Sequence, residues 1–252
     1  MEISKMSFKE KSLLFAKLSS YAYGSTEVAK SQAKGLGFTT TEFYDKDGAQ
    51  AYRFMNKHDI VIACRGTQPK ELNDISADLK AMPVVAETIS RVHRGFKDEV
   101  DELWPMIEED IVRKTNLSKK LWFCGHSLGA AMATIMASRC KYNPELNDPI
   151  ELYTYGSPRV GWKGYTQSLN VEHHRWKNNN DIVTTVPPAF LYYRHHGTQH
   201  YLNAYGNYRS PTGWQMVKDR WRGIVMGWKN GKIDSFSDHS IAEYIKHISK
   251  LD

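Results

Sequence analysis

The sequence predicts an α/β fold, in which strands and helices alternate around one central sheet. The strongest signal is the stretch 121–137, "LWFCGHSLGAAMATIMA", where an apolar run typical of a strand buried on both faces leads into an alanine-rich helix. A chain of 252 residues, 41% hydrophobic and 25% charged, has the composition of a globular protein with one sizeable core. We therefore expect a single domain over residues 1–252.

The other elements follow from local patterns along the chain. Ser7 with Glu10 predicts a capping box before the first helix. Residues 40–67 read as strands separated by turns at 45–48 and 56–59, and residues 94–114 read as a helix with a kink at Pro105. Residues 190–203 predict a hairpin, and a last helix closes the chain, with Asp238 as its N-cap.

Charge and composition exclude several classes of function. The net charge of +6 is modest, and no basic stripe interleaved with aromatic residues points to nucleic acid. No apolar run is long enough to span a membrane, and the first residues lack the pattern of a signal peptide. Three cysteines, an odd number, all lie in apolar elements. We expect a cytoplasmic protein, or one that is exported without a classical signal peptide.

Ser127 stands in the pattern G-x-S-x-G, between Gly125 and Gly129. Glycine is common, so this pattern alone arises by chance and equally suits an ordinary strand-to-helix turn. Between a strand and a helix it is typical of the nucleophile elbow of α/β-hydrolases, where the turn is too tight for side chains at the glycine positions. Ser127 is therefore a candidate nucleophile that needs a base and an acid.

Chain order selects the partners of Ser127, because in this class of enzyme the acid and then the histidine follow the serine. Most of the later histidines lie within predicted strands or helices, where a structural role is favoured. His239 instead lies at a junction between a loop and a helix, from which it can reach the ends of the parallel strands. Asp181 follows a strand directly, at the edge of the sheet where the elbow opens. These two are the candidate base and acid.

The ordered motifs together resemble class 3 (fungal-type) lipases. These motifs are "IACRGT", "VHRGF", "GHSLGAAMA", "YGSPRVG", "NNNDIVTTVPP" and "DHS". The resemblance implies an α/β-hydrolase fold with a mixed, mostly parallel sheet and helices on both faces. It implies Ser127 as nucleophile, His239 as general base and then acid, and Asp181 as the carboxylate that orients the imidazole. It also implies an oxyanion hole formed by Thr67 and the backbone N–H of Leu128, and it calls for no metal and no cofactor.

A lid is the second feature that the resemblance implies, over about residues 68–85. Leu72, Ile75 and Leu79 share one face at helical spacing, although an ordinary surface helix has the same pattern. Ile75 stands where lids of this family usually carry a tryptophan. The segment 221–231 combines two tryptophans with cationic residues, a composition that suits a lipid–water boundary but equally core packing.

The expected function is hydrolysis of carboxylic esters of acylglycerols or related acyl esters through an acyl-enzyme intermediate. The expected partners are an acyl ester or lipid substrate and, transiently, a lipid interface. Two alternatives stay open at this stage. One is a phospholipase or feruloyl-type esterase on the same scaffold, and the other is a catalytically silent lipase-like module that binds lipid. The sequence sets neither chain length nor head group, because a hydrophobic pocket discriminates by only about 1–3 kcal/mol per methylene.

Overall fold

A computed structural model describes residues 1–66, 82–209 and 238–251 of the chain. The predicted oxyanion residue Thr67, the lid residues Leu72, Ile75 and Leu79, and the segment 221–231 lie outside these described residues. The last four residues of the predicted lid, 82–85, are described, and three of them form the short strand Pro83–Val85.

The described helices and strands alternate along the chain, as predicted. The helices are α1 (Phe8–Tyr21), α2 (Thr26–Gly35), α3 (Arg94–Ile111), α4 (Lys114–Leu117), α5 (Leu128–Tyr142), α6 (Lys163–Ser168) and α7 (Ile241–Ile248). The strands are β1 (Thr40–Lys46), β2 (Ala49–Met55), β3 (Asp59–Cys64), β4 (Pro83–Val85), β5 (Arg91–His93), β6 (Lys120–His126), β7 (Pro149–Tyr155), β8 (Gly161–Trp162), β9 (Glu172–Asn178), β10 (Tyr193–Arg194), β11 (Thr198–Leu202) and β12 (Tyr208–Arg209). The Ser7–Glu10 capping box is present, and α3 runs through Pro105.

The central sheet has eight strands in the order β1-β2-β3-β6-β7-β9-β11-β12. The five strands from β3 to β11 pair in parallel, whereas β1, β2 and β12 join by antiparallel pairing. Parallel neighbours need crossover connections, and α-helices lie in those from β3 to β6, from β6 to β7 and from β7 to β9. The predicted mixed, mostly parallel sheet is confirmed.

Helices cover both faces of this sheet, because its central strands are apolar on both sides. β3 is buried at all six positions. One core lies between the sheet and α3 and α5, and includes Phe96, Ile107, Phe123 and Met136. The other lies between the sheet and α1 and α7, and includes Phe15 and Trp122. Cys64, Cys124 and Cys140 are free and buried in these two cores.

The predicted hairpin over residues 190–203 is wrong. β10 pairs with β8 in a separate four-stranded sheet, while β11 joins the central sheet parallel to β9. The physical reason is burial: pairing with β9 places Tyr201 and Leu202 in the core, which a hairpin between two short strands does not provide. Within the described ranges, no helix is long and apolar enough to cross a bilayer.

Candidate active site

Ser127 lies on a strained turn between β6 and α5. Its backbone angles, φ 59° and ψ −131°, fall in a region that residues with a side chain rarely occupy. Its N–H donates to the carbonyl oxygen of Tyr155 in β7 at 3.0 Å, which ties the turn to the neighbouring strand. A serine held in such a conformation inside a rigid framework presents its hydroxyl at the carboxyl end of the sheet.

Gly125 and Gly129 allow this turn because the backbones on either side approach closely. A β-carbon on Gly125 would lie 2.5 Å from the carbonyl carbon of Gly129 and 2.8 Å from the amide nitrogen of Ala130. A β-carbon on Gly129 would lie 2.7 Å from the carbonyl carbon of Arg65, beyond the end of β3. Distances below 3 Å between such atoms do not occur without a shift of the backbone. The glycine requirement expected from the sequence is therefore a matter of space.

Asp181 and His239 form a buried pair. Both carboxylate oxygens lie 2.9 Å from Nδ1 of His239, and the exposed fractions of the two residues are 0% and 2%. Nδ1 is the donor, because an ionised carboxylate only accepts. Burial alone would raise the pKa of Asp181, but the His239 imidazole and the hydrogen bonds from His239 and Tyr244 hold it below its ordinary value. The carboxylate is thus kept charged and aimed at the ring.

Tyr244 supports this carboxylate, and sequence reasoning missed it. Its hydroxyl donates to Oδ2 of Asp181 at 2.6 Å and accepts the N–H of Asn178 at 3.0 Å. The N–H of Val183 donates to Oδ1 at 3.0 Å. A tyrosine in an amphipathic helix reads as core, so the pattern around Tyr244 carries no signal for this role.

Gly156 is a second residue whose role was missed, although it lies inside a motif already quoted. Its φ is +59°, and a β-carbon there would lie 2.7 Å from Oδ2 of Asp181 and 2.8 Å from Nδ1 and Cε1 of His239. The Asp181–His239 pair therefore occupies the space that a side chain at position 156 would fill. The signal was present in the sequence, as a glycine directly after a buried strand.

Ser127 and His239 each keep a reactive atom free. Oγ of Ser127 and Nε2 of His239 are both buried, and neither has a hydrogen-bond partner among the residues that the structure describes. The two residues are linked through His126, which precedes Ser127 and whose ring centroid lies 4.5 Å from that of His239. Catalytic hydrogen bonds are often long in a site without substrate. The nucleophile, base and acid assignments stay predictions of role, on residues that the fold places together.

Leu128 is the first residue of α5, so its N–H has no partner within the helix and stays available to an anion. Gly66, directly before Thr67, packs against Ser127: a β-carbon at position 66 would lie 3.1 Å from Cβ of Ser127. The oxyanion assignments of Leu128 and Thr67 stay predictions.

The other histidines considered from the sequence lie elsewhere. Nε2 of His195 bonds the carbonyl oxygen of Thr184 at 2.9 Å, and His200 contacts His174, with 3.1 Å between ring nitrogens.

The prediction that Asp238 caps the last helix is wrong. Its carboxylate accepts from Nδ2 of Asn179 and the N–H of Asn180, so Ser240 takes the N-cap position.

Across residues 1–66, 82–209 and 238–251, no three histidine, cysteine or acidic side chains come together in a metal-binding arrangement.

The chain matches the family model for lipase (class 3) over residues 61–191, more than half of its length. It is 35% identical over 122 residues to Toxin TseL of Vibrio cholerae, which is 46% of this chain and 18% of the toxin. It is 31% identical over 172 residues to a lipase of Rhizomucor miehei, which is 65% of this chain and 47% of that lipase. The chain thus spans less than half the length of these curated relatives.

Solved structures show the same fold. The triacylglyceride lipase of Rhizomucor miehei superposes with a TM-score of 0.66 at 24% identity, over 78% of this chain and 81% of that one. The likeness at this identity concerns the fold alone.

Proposed function

Because this chain belongs to the class 3 lipase family, we propose that it hydrolyses carboxylic esters of acylglycerols or related acyl esters through an acyl-serine intermediate. One observation carries the proposal beyond family membership. The buried Asp181–His239 pair is joined, through a hydrogen bond from His126 to the backbone of His239, to a strained serine whose hydroxyl is left unpartnered by the described residues. A nucleophile needs a hydroxyl that is free to react, and the strained backbone distinguishes Ser127 from the other buried serines without a partner, Ser12 and Ser19.

The proposed reaction has two halves. Oγ of Ser127 attacks the ester carbonyl while Nε2 of His239 takes its proton, and the Leu128 N–H stabilises the oxyanion. The C–O bond of the ester breaks, and the alcohol leaves with the proton from His239. Water then attacks the acyl-serine by the same route in reverse, which releases the carboxylic acid and restores Ser127. Throughout, Asp181 holds Nδ1–H of His239 and stabilises the imidazolium.

The substrate class rests on the relatives and on one feature of the surface. A relative from Fusarium solani, 35% identical over 118 residues, is a secreted mono- and diacylglycerol lipase. Ile182, directly after Asp181, is 39% exposed, and Phe190 and Tyr192 nearby in the chain are 79% and 67% exposed. These apolar side chains, near Asp181 in the sequence, would suit an acyl or lipid substrate and transient contact with a lipid surface.

The test is a hydrolysis panel of esters from short to long acyl chains, extended to glycerides, phospholipids and feruloyl esters. It is run beside labelling with a fluorophosphonate probe. We expect acyl-ester turnover and labelling of the wild type, and neither in Ser127→Ala. Ser138→Ala is the matched control, since Ser138 is a buried serine of the same helix α5, 1% exposed. Preference for phospholipid or feruloyl esters would select the alternative substrates, and lipid binding without turnover or labelling would select the silent module.

A further inference from the structure

The His126 ring lies between two hydrogen-bond partners that fix its protonation. Its Nε2 lies 2.6 Å from the carbonyl oxygen of His239, and its Nδ1 lies 2.8 Å from the hydroxyl of Tyr23. A backbone carbonyl only accepts, so Nε2 carries the hydrogen and donates it. Burial, with the nearby His239 as a second cause, lowers the pKa of His126 to about 3, so the ring is neutral near pH 7. Nδ1 is then the acceptor, and Tyr23 donates to it.

The hydrogen-bonded side chains of Tyr23 and His126 contact separate parts of the candidate site. His126 is bonded covalently to Ser127 and by hydrogen bond to the backbone of His239, 113 residues away. Tyr23 lies in the turn between α1 and α2, and its hydroxyl packs against the backbone of Gly66. A β-carbon on Gly66 would clash with that hydroxyl and lie 2.6 Å from the carbonyl oxygen of His126.

The hydrogen bond from His126 restrains the backbone of His239, whereas the hydrogen bond between the imidazole and Asp181 restrains only the side chain. Asp181 sets where Nδ1 of the imidazole lies, but the ring still pivots if the main chain at His239 moves. The bond from His126 restrains that main chain relative to Ser127, its own neighbour. Displacement of a reacting group by about 1 Å can cost about 10²-fold in rate, so such a restraint has a kinetic consequence.

We propose that Tyr23 and His126 are positioning residues, which hold the main chain of His239 at a fixed distance from Ser127 and keep the Gly66 turn against both. The inference rests on the proposed ester hydrolysis, in which Nε2 of His239 must reach Oγ of Ser127. Tyr23 acts by holding the His126 ring in the tautomer that donates from Nε2.

The test compares four variants with the wild type on a soluble short-chain ester. His126→Asn places an amide near Nδ1 but nothing at Nε2, whereas His126→Gln can place a donor near Nε2. Tyr23→Phe removes only the hydroxyl. Tyr52→Phe is the matched control, because the Tyr52 hydroxyl bonds the carbonyl oxygen of Gly24, in the same turn as Tyr23, at 3.2 Å. Each rate is referred to folded protein, measured by circular dichroism.

We expect kcat to fall by about tenfold to a hundredfold in Tyr23→Phe and His126→Asn, with KM unchanged. His126→Gln should recover part of the loss, and Tyr52→Phe should match the wild type. Lower melting temperatures with an unchanged kcat per folded molecule would overturn the inference and leave the proposed function standing.

A second readout does not depend on turnover. The ring proton on Nδ1 of His239, bonded to Asp181, is followed by proton NMR. Its signal should shift or broaden in Tyr23→Phe and His126→Asn but not in Tyr52→Phe. If the wild type neither hydrolyses esters nor takes the fluorophosphonate, the proposed function fails. This signal then decides the positioning role alone, and an unchanged signal would overturn it.

Discussion

Gly156 shows how a single missing side chain shapes the candidate site. The Asp181–His239 pair packs onto its α-carbon, and its positive φ turns the chain at the end of β7. Position 156 therefore requires glycine for two separate reasons, the lack of space for a side chain and the positive φ of the backbone. They can be separated by comparison with Gly48, whose φ is +93° but whose β-carbon position is open to at least 4 Å.

We predict that Gly156→Ala lowers ester hydrolysis by about 10²-fold or more, because the new methyl group displaces the acid and the base together. Gly48→Ala carries similar backbone strain, about 1–2 kcal/mol, without the collision. It should lose stability but keep its kcat. The measurement is kcat at saturating ester beside urea unfolding for both variants. Equal activity of the two would show that the pair tolerates a methyl group at position 156.

The candidate triad makes a second prediction at this scale. Ser127→Ala and His239→Ala should each lower kcat by roughly 10⁴–10⁶-fold, and the double variant should be no slower, because triad members act as a unit. His195→Ala serves as the control, since its imidazole bonds a backbone carbonyl away from Asp181. Steady-state kinetics decide the matter: turnover that survives in His239→Ala but not in His195→Ala would reverse the assignment of the base.

At the scale of elements, the turn at Ser127 depends on how closely α5 meets the strands. Gly129, in the first turn of α5, lies against the backbone that follows β3, and this contact sets the height of the helix above the sheet. That contact therefore also fixes the position of the N-terminus of α5 and of the Leu128 N–H.

We predict that Gly129→Ala destabilises the protein by about 1–3 kcal/mol, because the added methyl group meets backbone atoms that cannot move aside. Gly35→Ala at the end of α2 is the comparison, since nothing lies within 4 Å of its β-carbon position. That change should be neutral, or stabilising by up to about 1 kcal/mol, through the better helix propensity of alanine. The free energy of unfolding in urea measures both. A Gly129→Ala protein as stable as the wild type would mean that α5 can move away from the sheet without a loss in the free energy of unfolding.

Elements were predictable where local pattern decides the structure, and not elsewhere. The strands β1 to β3 and their turns follow from alternation and from turn residues such as Asp45, Gly48 and Asn56. The order of the motifs identifies Ser127, Asp181 and His239 from the sequence alone. The partners of β10 and β11 are chosen by distant strands, which no local pattern reveals. The roles of Tyr244 and Tyr23 could not be predicted either, because their contacts with the site span 63 and 103 residues of sequence.

For the whole molecule, buried neutral histidines link stability to pH. Burial lowers the pKa of His93 to about 4, of His126 to about 3 and of His200 to about 4. In the unfolded chain each binds a proton near its ordinary pKa of 6.5. Between about pH 6.5 and pH 4 the unfolded chain therefore binds more protons than the folded one, and the fold loses stability as the pH falls.

We predict that the free energy of unfolding falls between pH 7 and pH 5, with a slope of up to about 1.4 kcal/mol per pH unit for each such histidine. Urea titrations at several pH values measure that slope. His200→Gln, which cannot take up a proton, should reduce the slope by about one histidine's share. A slope that this variant leaves unchanged would show that His200 is not one of the linked groups.

The parallel arrangement of the central strands also determines when, during folding, the candidate site forms. Ser127 follows β6, Asp181 follows β9, and His239 precedes α7, so the three meet only after strands and helices from most of the chain have docked. Contacts of such long sequence separation form late and slowly in folding. A chain emerging from the ribosome therefore carries Ser127 well before it carries His239. Until α7 docks, such a chain has Ser127 but not its candidate base in place, and the proposed ester hydrolysis cannot begin.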